Sequence, residues 1–516
     1  MTDDDMAFLR QFAFKVDTHI TNAAFDKLKY VFPGAGVSSL KVTKARAAFL
    51  AAFKPVPYHC CINSCCCFVG PHKDCQKCPY CNEPHYNNSG KPQKQFTYSP
   101  IIPRLVTLLR NSEYAKQMQY RGEHKPNSEE MSDIFDSVTY IAQLSENIVI
   151  DGRTLPHKFF EDLRDVALGL STDGFAPFRR CKHTCWPLIL FNYNLPPDIR
   201  FHLKHILCVA IIPGPKKPVD FDSFLWPLVE ELLQLEIGVH AYDPLQSELF
   251  KLHAYLIRVF GDIPAVSMVM CMKGHNGFTP CHMCHIQGLQ VPGSKATTHY
   301  VPLDRSRHPQ VQGDSSVIAC YDPSNLPLRT HEQFMAQAQE VQAASTDADA
   351  AHLSKHYGIK GVPLLSYLSL LQFPTSFPYD FMHLIYKNLL KNLISLWTGA
   401  FKGLDEGSGS YKFNPKVWEA IGAASAAAGS TVPRAFGARP RNVADDKTTC
   451  TADMWSFWML YLGPVLLNCK FRRQVYYDHF IKLVKLVNIC LQFEITPVEI
   501  SRLREGFKQW VSKYEE

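Results

Sequence analysis

The sequence lacks any uninterrupted apolar run close to the roughly 20 residues that a membrane-spanning helix needs, so no membrane partner is expected. Its first residues, MTDDDMAFL, are acidic, whereas a secretory signal begins with basic residues. A strong charge imbalance is also missing, because 54 Lys and Arg against 48 Asp and Glu give a net charge of +6. Such a charge permits a polyanionic partner without requiring one. We therefore expect an intracellular protein, and its net charge does not indicate which kind of ligand it binds.

The composition that is present is ordinary for globular proteins, with 46% hydrophobic and 20% charged residues. These fractions exclude a disordered or fibrous chain. A chain of 516 residues exceeds the size of about 250 to 300 residues at which single cores stop growing, so several domains are expected. We predict an N-terminal helical and Cys-rich zinc-binding region, the first part of a core, an insertion, and a helical C-terminal part that completes the core. These segments are residues 1–130, 131–285, 286–375 and 376–516.

Eight of the 18 cysteines lie between Cys60 and Cys81. Without an export signal, such clustering favours metal ligation over disulfides. Cys78 and Cys81 form CPYC, which is one half of a zinc knuckle. Cys61, paired with Cys65 or alternatively with Cys60, can supply the other half. We expect Zn²⁺ to staple this loop-rich segment, and its basic and aromatic neighbours can also contact DNA, namely Lys73, Lys77, His85 and Tyr86.

Three short apolar runs follow from about residue 165: VALGLSTDGF, WPLILFNYNL and HILCVAIIPG. Each is β-rich and closes on Gly, Pro or Asn, which predicts three consecutive strands. FLWPLVEELLQLEIGV has apolar residues at helical spacing, and KLHAYLIRVFGD is most simply a fourth strand. An RNase H-like fold begins with this order of strand, strand, strand, helix and strand. The pattern therefore predicts an α/β RNase H-like core.

Two aspartates stand at the ends of the first and fourth predicted strands, Asp173 in STDGFAPF and Asp262 in FGDIPA. These strands are neighbours in an RNase H-like sheet. Carboxylates at such positions can hold two Mg²⁺ ions about 4 Å apart, which activate a water or a 3′-hydroxyl against a phosphodiester. The alternative is that each Asp only caps a turn, since Asp-Gly and Gly-Asp are common turn dipeptides.

The chain contains, in order, the blocks RDVALGLSTDGFAPF, WPLILFNYNLPPDIRFH, IPGPKKPVDFDSFLWPLVEEL, FGDIPAVSMVMCMKGHNGFTPCHMC, FPYDFMHLIYKN and ADMWSFWMLYLGPVLL. Together they resemble the CACTA-type (En/Spm-like) DNA transposases, in their basidiomycete fungal branch. The resemblance runs from about Tyr58 almost to Glu516. It implies a DDE-type recombinase that cuts double-stranded DNA at the terminal inverted repeats of its element and joins the 3′ ends to target DNA. It further implies a nuclear protein that forms a homo-oligomer around two element ends.

By the same resemblance, Asp173 and Asp262 are the first two ligands of Mg²⁺ or Mn²⁺. The family pattern places a Glu just after MHL, where this chain has Lys387, and a lysine cannot ligate a cation. Asp453 in TADMWSFW is the first candidate for the third acid. Asp380 is the second, although it is equally well placed to cap a helix. The departure keeps a second function open, that of a catalytically decayed or domesticated zinc-containing DNA-binding protein.

A further pair of cysteines, Cys281 and Cys284, forms CHMC soon after the second aspartate. Two thiolates at this spacing can bind one Zn²⁺ at about 2.3 Å. In CACTA transposases and the related RAG-type recombinases, such a pair is joined by distant histidines. The resemblance thus implies His383 as a ligand, with His479 a poorer candidate. The alternative for His383 is a hydrogen-bonded histidine on an apolar helix.

The segment FRRCKHTCW follows the first aspartate and is rich in basic and aromatic residues. Such side chains can meet phosphates along a DNA path. The alternative is a solvated hairpin tip. The residues concerned are Arg179, Arg180, Lys182 and Trp186.

Overall fold

The computed structural model describes residues 2–516 except 52, 151, 178–182, 291–298, 315–316, 402–408, 438 and 446–449. The chain divides into two compact units. Unit 1 consists of Met1–His124, Leu144–Ile257 and Tyr367–Leu370, and unit 2 consists of Lys125–Gln143, Arg258–Ser366 and Leu371–Glu516. In the part of the chain that the structure describes, no helix combines the length and apolar character required to cross a membrane.

Both units contain helices. Those of unit 1 are α1 (Asp3–Asp17), α2 (Asn22–Val31), α3 (Leu40–Leu50), α4 (Ile101–Leu109), α5 (Ser112–Gln117), α6 (Tyr120–Glu123) and α8 (Asp222–Ile237). Those of unit 2 are α7 (Val138–Gln143), α9 (Ile263–Val269), α10 (Pro309–Gln312), α11 (His331–Gln342), α12 (Asp347–Tyr357), α13 (Leu390–Trp397), α14 (Pro415–Ala428), α15 (Ala452–Phe457), α16 (Gly463–Leu466), α17 (Gln474–Cys490) and α18 (Pro497–Glu515). Two π-helical segments also belong to unit 2, Met382–Leu389 and Trp458–Leu462.

The strands form one large sheet and three hairpins. They are β1 (Val56–His59), β2 (Gln95–Tyr98), β3 (Asn147–Ile150), β4 (Arg153–Lys158), β5 (Val166–Thr172), β6 (Cys185–Asn192), β7 (Leu207–Pro213), β8 (Val239–Asp243), β9 (Glu248–Leu252), β10 (Ala254–Phe260), β11 (Leu289–Gln290) and β12 (His299–Tyr300). The sheet has the order β1-β2-β7-β6-β5-β10, and the hairpins are β3–β4, β8–β9 and β11–β12. The predicted mixture of helices and a sheet is confirmed.

The central strands of the sheet lie in the three predicted apolar runs. β5 pairs antiparallel with β6, so that Leu170 lies opposite Leu190, and β6 pairs antiparallel with β7. Nearly every side chain of β5 is buried, whereas those of β6 alternate between buried and half-buried. An unbroken apolar run is typical of a strand that is covered on both faces. The hydrophobic core of unit 1 is therefore built around β5.

The segment predicted as one fourth strand, KLHAYLIRVFGD, differs in the structure. It contains the end of β9 and all of β10, which are separated at His253. The preceding hairpin turn is made by Asp243, whose Oδ1 accepts hydrogen bonds from the backbone N–H groups of Leu245 (2.9 Å) and Gln246 (3.4 Å). Ser247 follows with a φ of 58°, in the left-handed region. Asp-centred turns of this kind are local, and the apolar pattern alone did not reveal this one.

The second asparagine of the NYNLPP block uses its side-chain amide to pair with main-chain groups at the start of β5 and near it. Asn194 is fully buried, and its Oδ1 accepts a hydrogen bond from the N–H of Ala167 at 2.8 Å. Its Nδ2 donates to the carbonyl oxygens of Asp165 (2.8 Å) and Met118 (3.3 Å). Three buried main-chain groups thus depend on one side chain, which explains the need for an amide at this position.

Replacing Asn194 with alanine is expected to destabilise unit 1 by about 2 to 4 kcal/mol, because the substitution leaves buried main-chain groups unpaired. Asn147→Ala, at an exposed position of β3 in the same unit, serves as the control and is expected to have an effect below about 0.5 kcal/mol. Urea unfolding followed by circular dichroism measures both. Equal stability of the two variants would contradict the structural role of the Asn194 amide.

Unit 2 has an aromatic core. The ADMWSFW block contributes Trp455 and Trp458, which are 0% and 1% exposed. Trp458 donates its indole N–H to the Ser425 hydroxyl at 3.0 Å, so its polar atom is satisfied inside the core. The same cluster contains Trp397, Trp418 and Trp510.

Candidate metal centre and acidic residues

Four thiols of the Cys-rich segment converge in unit 1. The sulfur atoms of Cys61, Cys65, Cys78 and Cys81 all lie within 4.8 Å of one another, and those of Cys61 and Cys81 are 3.4 Å apart. Thiolates bound tetrahedrally to Zn²⁺ at about 2.3 Å stand roughly 3.8 Å from each other. The cluster therefore has the ligand type, number and spacing to hold a metal such as zinc, and its four members are the cysteines selected from the sequence.

Two similar turns position these thiols. In the first, the N–H of Ser64 donates to the carbonyl of Cys61 at 2.8 Å, and Ser64 has a φ of 60°. In the second, the N–H of Asn82 donates to the carbonyl of Cys78 at 2.9 Å, and Asn82 has a φ of 59°. A left-handed residue after each turn reverses the chain. Both turns present their cysteines to the same point.

The thiols differ in how readily they ionise. Burial raises the pKa of Cys61 to about 11 and raises that of Cys65 well above its ordinary value. Desolvation by burial would also raise the pKa of Cys81, but hydrogen bonds from the Glu83 backbone, the Asn63 side chain and the neighbouring thiols together outweigh it and lower this pKa to about 7. Zinc binds thiolates, so metal binding must release the protons of the buried thiols.

The Cys-rich loop is fastened to the segment after β7, a connection that the sequence did not reveal. Lys94 donates from Nζ to the hydroxyl of Ser64 at 2.7 Å and to the carbonyl of Gly214. The backbone N–H groups of Val219 and Asp220 both donate to the carbonyl of Cys65, at 3.0 and 2.9 Å. The IPGPKKPVDFDS block thus holds the metal loop, and β1 and β2 on either side of the loop extend the central sheet.

Cys78→Ser is expected to remove most of the bound metal, because serine is a poor zinc ligand and the fully buried Cys78 is one of the four clustered thiols. We expect an affinity loss of at least about a hundredfold and a lower melting temperature, since binding and folding energies are coupled. Cys208→Ser is the control, at an exposed position of β7. Metal content by mass spectrometry measures the effect, and equal zinc in both variants would contradict the site.

Asp173 directly follows β5 in unit 1. The hairpin continues beyond it, because the backbones of Phe175 and Cys185 exchange hydrogen bonds of 3.1 and 2.9 Å. The backbone of Gly174 packs against the indole of Trp186, so that an added Cβ would stand 2.3 Å from the ring. The DGF block therefore requires glycine next to the aspartate. Arg179, Arg180 and Lys182, predicted to contact DNA, lie outside the described residues, and Trp186 is buried.

Asp262 lies in unit 2, two residues after the end of β10, and is the N-cap of α9. Its Oδ1 accepts a hydrogen bond from the N–H of Ala265 at 2.7 Å. The cap uses one of the two carboxylate oxygens. The turn-capping alternative thus describes part of what this side chain does, and capping by one oxygen is compatible with ligation through the other.

The candidates for a third acid are also in unit 2. Asp453 lies in the first turn of α15, and its Oδ2 would be 2.5 Å from a Cβ added at Gly437. Asp380 accepts from the N–H of His383 at 3.1 Å through Oδ1, and its Oδ2 lies 2.8 Å from His383 Nδ1. Lys387, in the π-helical segment, donates from Nζ to the carbonyl of Cys450 at 3.4 Å.

The CHMC pair has a different environment from the N-terminal cluster. Cys281 Sγ lies 3.1 Å from the hydroxyl of Tyr379, and the neighbouring Cys284 thiol, more than the opposing burial, lowers the pKa of Cys281 to about 6. Within the described residues, the four N-terminal cysteines are the one group of three or more Cys, His, Asp or Glu ligands close enough to share a metal. His479, the poorer candidate, stacks on Trp510 and hydrogen-bonds its carbonyl at 2.9 Å.

Residues 151–307 match the model of a known family, described as "Transposase family tnp2". The matched segment contains β5, β6, β7, α8 and β10 together with Asp173, Asp262 and the CHMC pair. A transposase-type protein is therefore supported by the part of the chain that carries the first two predicted acids. A comparison with curated proteins found no match.

Proposed function

We propose that this chain is a CACTA-type DNA transposase of the fungal branch, with an RNase H-like core in which Asp173 and Asp262 hold Mg²⁺ or Mn²⁺. The observation that carries the proposal is the transposase match over residues 151–307, because that segment includes both aspartates and the strands they follow. The proposed reaction is cleavage at the terminal inverted repeats of its element and transfer of the 3′ ends to target DNA. The protein would act in the nucleus, as a homo-oligomer on double-stranded DNA.

The sheet order supports the proposed core. β5, β6 and β7 follow one another as antiparallel neighbours, α8 comes next, and β10 is placed beside β5. The N–H of Val166, at the start of β5, donates to the carbonyl of His253, just before β10, at 2.9 Å. An RNase H-like core has its first and fourth strands adjacent in the same way. The β8–β9 hairpin is an addition to that scheme.

The side chains suit the chemistry proposed for them. Carboxylate oxygens are the ligands that Mg²⁺ prefers, and two such ions supply activation of the attacking hydroxyl and neutralisation of charge on the leaving oxygen. The capping bond fixes the orientation of the Asp262 carboxylate, and the packing of Gly174 on Trp186 fixes the backbone next to Asp173. We assign the third position to Asp453.

Zinc is proposed at two places. Cys61, Cys65, Cys78 and Cys81 would hold one ion and keep the N-terminal loop folded. The family resemblance assigns a second ion to Cys281, Cys284 and His383, although the described residues do not place these three within reach of one metal, so that binding would have to draw His383 toward the two thiols. The Asp380–His383 hydrogen bond of 2.8 Å favours this assignment. A carboxylate commonly orients the imidazole ring of a metal-binding histidine by accepting a hydrogen bond from the ring nitrogen that does not bind the metal.

The test is a strand-transfer assay with the purified full-length protein. The donor is a plasmid that carries both genomic flanks of the coding sequence, and a second plasmid is the target. We expect Mg²⁺-dependent nicks at the outer ends of the flanks and covalently joined products. Binding of the flanks without cutting would favour the decayed DNA-binding protein, and neither binding nor cutting would overturn both functions.

Lys387 is the observation that favours the decayed protein. It stands where the family pattern has a Glu, and an ammonium group opposes a cation. Lys387→Glu is therefore expected to raise strand transfer by about tenfold or more, because it replaces an ammonium that opposes the cation with a carboxylate that attracts it. Lys391→Glu, one helical turn further, makes the same change in charge and should leave the rate unchanged. Equal effects of the two variants would show that general charge, and not a ligand, is responsible.

A further inference from the structure

A fifth thiol lies beside the four that form the N-terminal metal centre. Cys66 is fully buried in the same cluster. Its Sγ is 3.8 Å from the Sγ of Cys78, which is the separation expected for two thiolates on one tetrahedral zinc ion. The sequence pattern does not distinguish Cys66, because zinc-knuckle spacing is met by other cysteines of the segment.

Cys66 directly follows Cys65, and the backbone of both residues is held on each side. The carbonyl of Cys66 accepts from the N–H of Cys61 at 2.9 Å, and the carbonyl of Cys65 accepts from Val219 and Asp220. These hydrogen bonds hold both cysteines beside the cluster, so an exchange between them requires only a local rearrangement of the two residues.

Zinc in a structural site takes four ligands, so five thiols cannot all bind one ion in this way. Cys66 is not among the four cysteines whose sulfur atoms all lie within 4.8 Å, which is consistent with one thiol remaining outside the coordination sphere. We propose that the centre is a five-thiol site in which Cys65 and Cys66 are alternative fourth ligands, with Cys61, Cys78 and Cys81 common to both arrangements. This inference rests on the zinc site proposed above.

The consequence is tolerance of the loss of either alternative ligand. When Cys65 binds, the Cys66 thiol is the spare, and the reverse holds when Cys66 binds. Removing one of them leaves a complete set of four thiolates. Removing Cys81, which has no such neighbour, leaves three.

The test measures metal binding by the full-length protein with Zn²⁺ and Co²⁺. Cys65→Ser and Cys66→Ser are each expected to retain one ion per chain, with an affinity within about tenfold of the unmodified protein and the Co²⁺ absorption of four thiolates. The double variant and Cys81→Ser are expected to lose at least about a hundredfold in affinity. Competition with a chromophoric chelator gives the affinities. If Cys65→Ser loses as much as Cys81→Ser, the exchange is overturned and the four-cysteine site stands.

A second measurement needs no substitution and covers the case in which a serine variant does not fold. In the ¹¹³Cd-loaded protein, couplings between the metal and cysteine β-protons identify each bound residue. Couplings to both Cys65 and Cys66 are expected. Coupling to only one of them would overturn the exchange, whereas an unmodified protein that binds no metal would overturn the zinc site itself and the inference with it.

Discussion

Asp262→Asn is expected to abolish strand transfer, by at least about a thousandfold, while the protein remains folded. Asparagine caps helices as well as aspartate does, so the bond from the N–H of Ala265 to the side-chain oxygen is kept. What the substitution removes is the negative charge and one good oxygen ligand for a hard cation. The variant thus separates the capping role from the metal-binding role at the same residue.

A second variant tests the corresponding aspartate in unit 1. Asp173→Asn should cause a loss of similar size, and Asp198→Asn, at an exposed position in the same unit, should cause none. Asp173→Cys adds a positive signature, because a thiolate binds Mn²⁺ better than Mg²⁺, so that some activity returns when Mn²⁺ replaces Mg²⁺. Full activity of Asp262→Asn in Mg²⁺ would reduce this aspartate to a helix cap and remove the basis of the proposed catalytic site.

The cysteines of the metal cluster could be predicted from the sequence more completely than the fold that surrounds them. CPYC identified Cys78 and Cys81, because two cysteines at this spacing meet in one turn. The other half was ambiguous, because Cys61 could be joined by Cys65 or by the adjacent Cys60. In the structure Cys60 faces Cys67 across an antiparallel bridge, and Cys65 joins Cys61 in the cluster. The choice depends on this backbone pairing, which the cysteine spacing does not show.

Contacts that join distant parts of the chain were not predictable in the same way. The hydroxyl of Tyr379 meets the Cys281 thiol across 98 positions of sequence, and Lys94 meets Gly214 across 120. Such pairs have no periodicity and no local spacing to reveal them. The apolar runs of β5, β6 and β7 did predict strands, because a buried strand consists of consecutive residues whose apolar character is visible in the sequence. The register and the added hairpin depend on turns and partners that one sequence does not show.

Glu236→Gln is expected to make unit 1 more stable at alkaline pH, and by an amount that depends on pH. Glu236 lies at the C-terminal end of α8 and is 1% exposed. In the part of the chain that the structure describes, neither of its carboxylate oxygens has a hydrogen-bond partner. Burial raises its pKa from the usual 4.5 to about 8. A negative charge is also unfavourable at the C-terminus of a helix.

The direction of the effect follows from proton linkage. Between pH 4.5 and about 8 the folded protein keeps the Glu236 proton, whereas the unfolded chain releases it. Stability therefore falls as pH rises through this window and levels off above it. At about 1.4 kcal/mol per pKa unit the full penalty is on the order of 5 kcal/mol, and relaxation around the charge reduces it. Glutamine has the same shape and no charge, so the variant escapes the penalty.

We expect Glu236→Gln to exceed the unmodified protein in free energy of unfolding by about 2 to 5 kcal/mol at pH 9 and by less than about 1 kcal/mol at pH 5. Glu230→Gln, on the same helix at an exposed position, is the control and should show no such dependence. Burial also raises the pKa of the Asp165 carboxyl, but this group is common to all three proteins and its contribution cancels in the differences. Urea unfolding at a series of pH values gives the curves, and a Glu236→Gln difference that stays constant with pH would mean that this buried carboxyl does not hold its proton in the folded state.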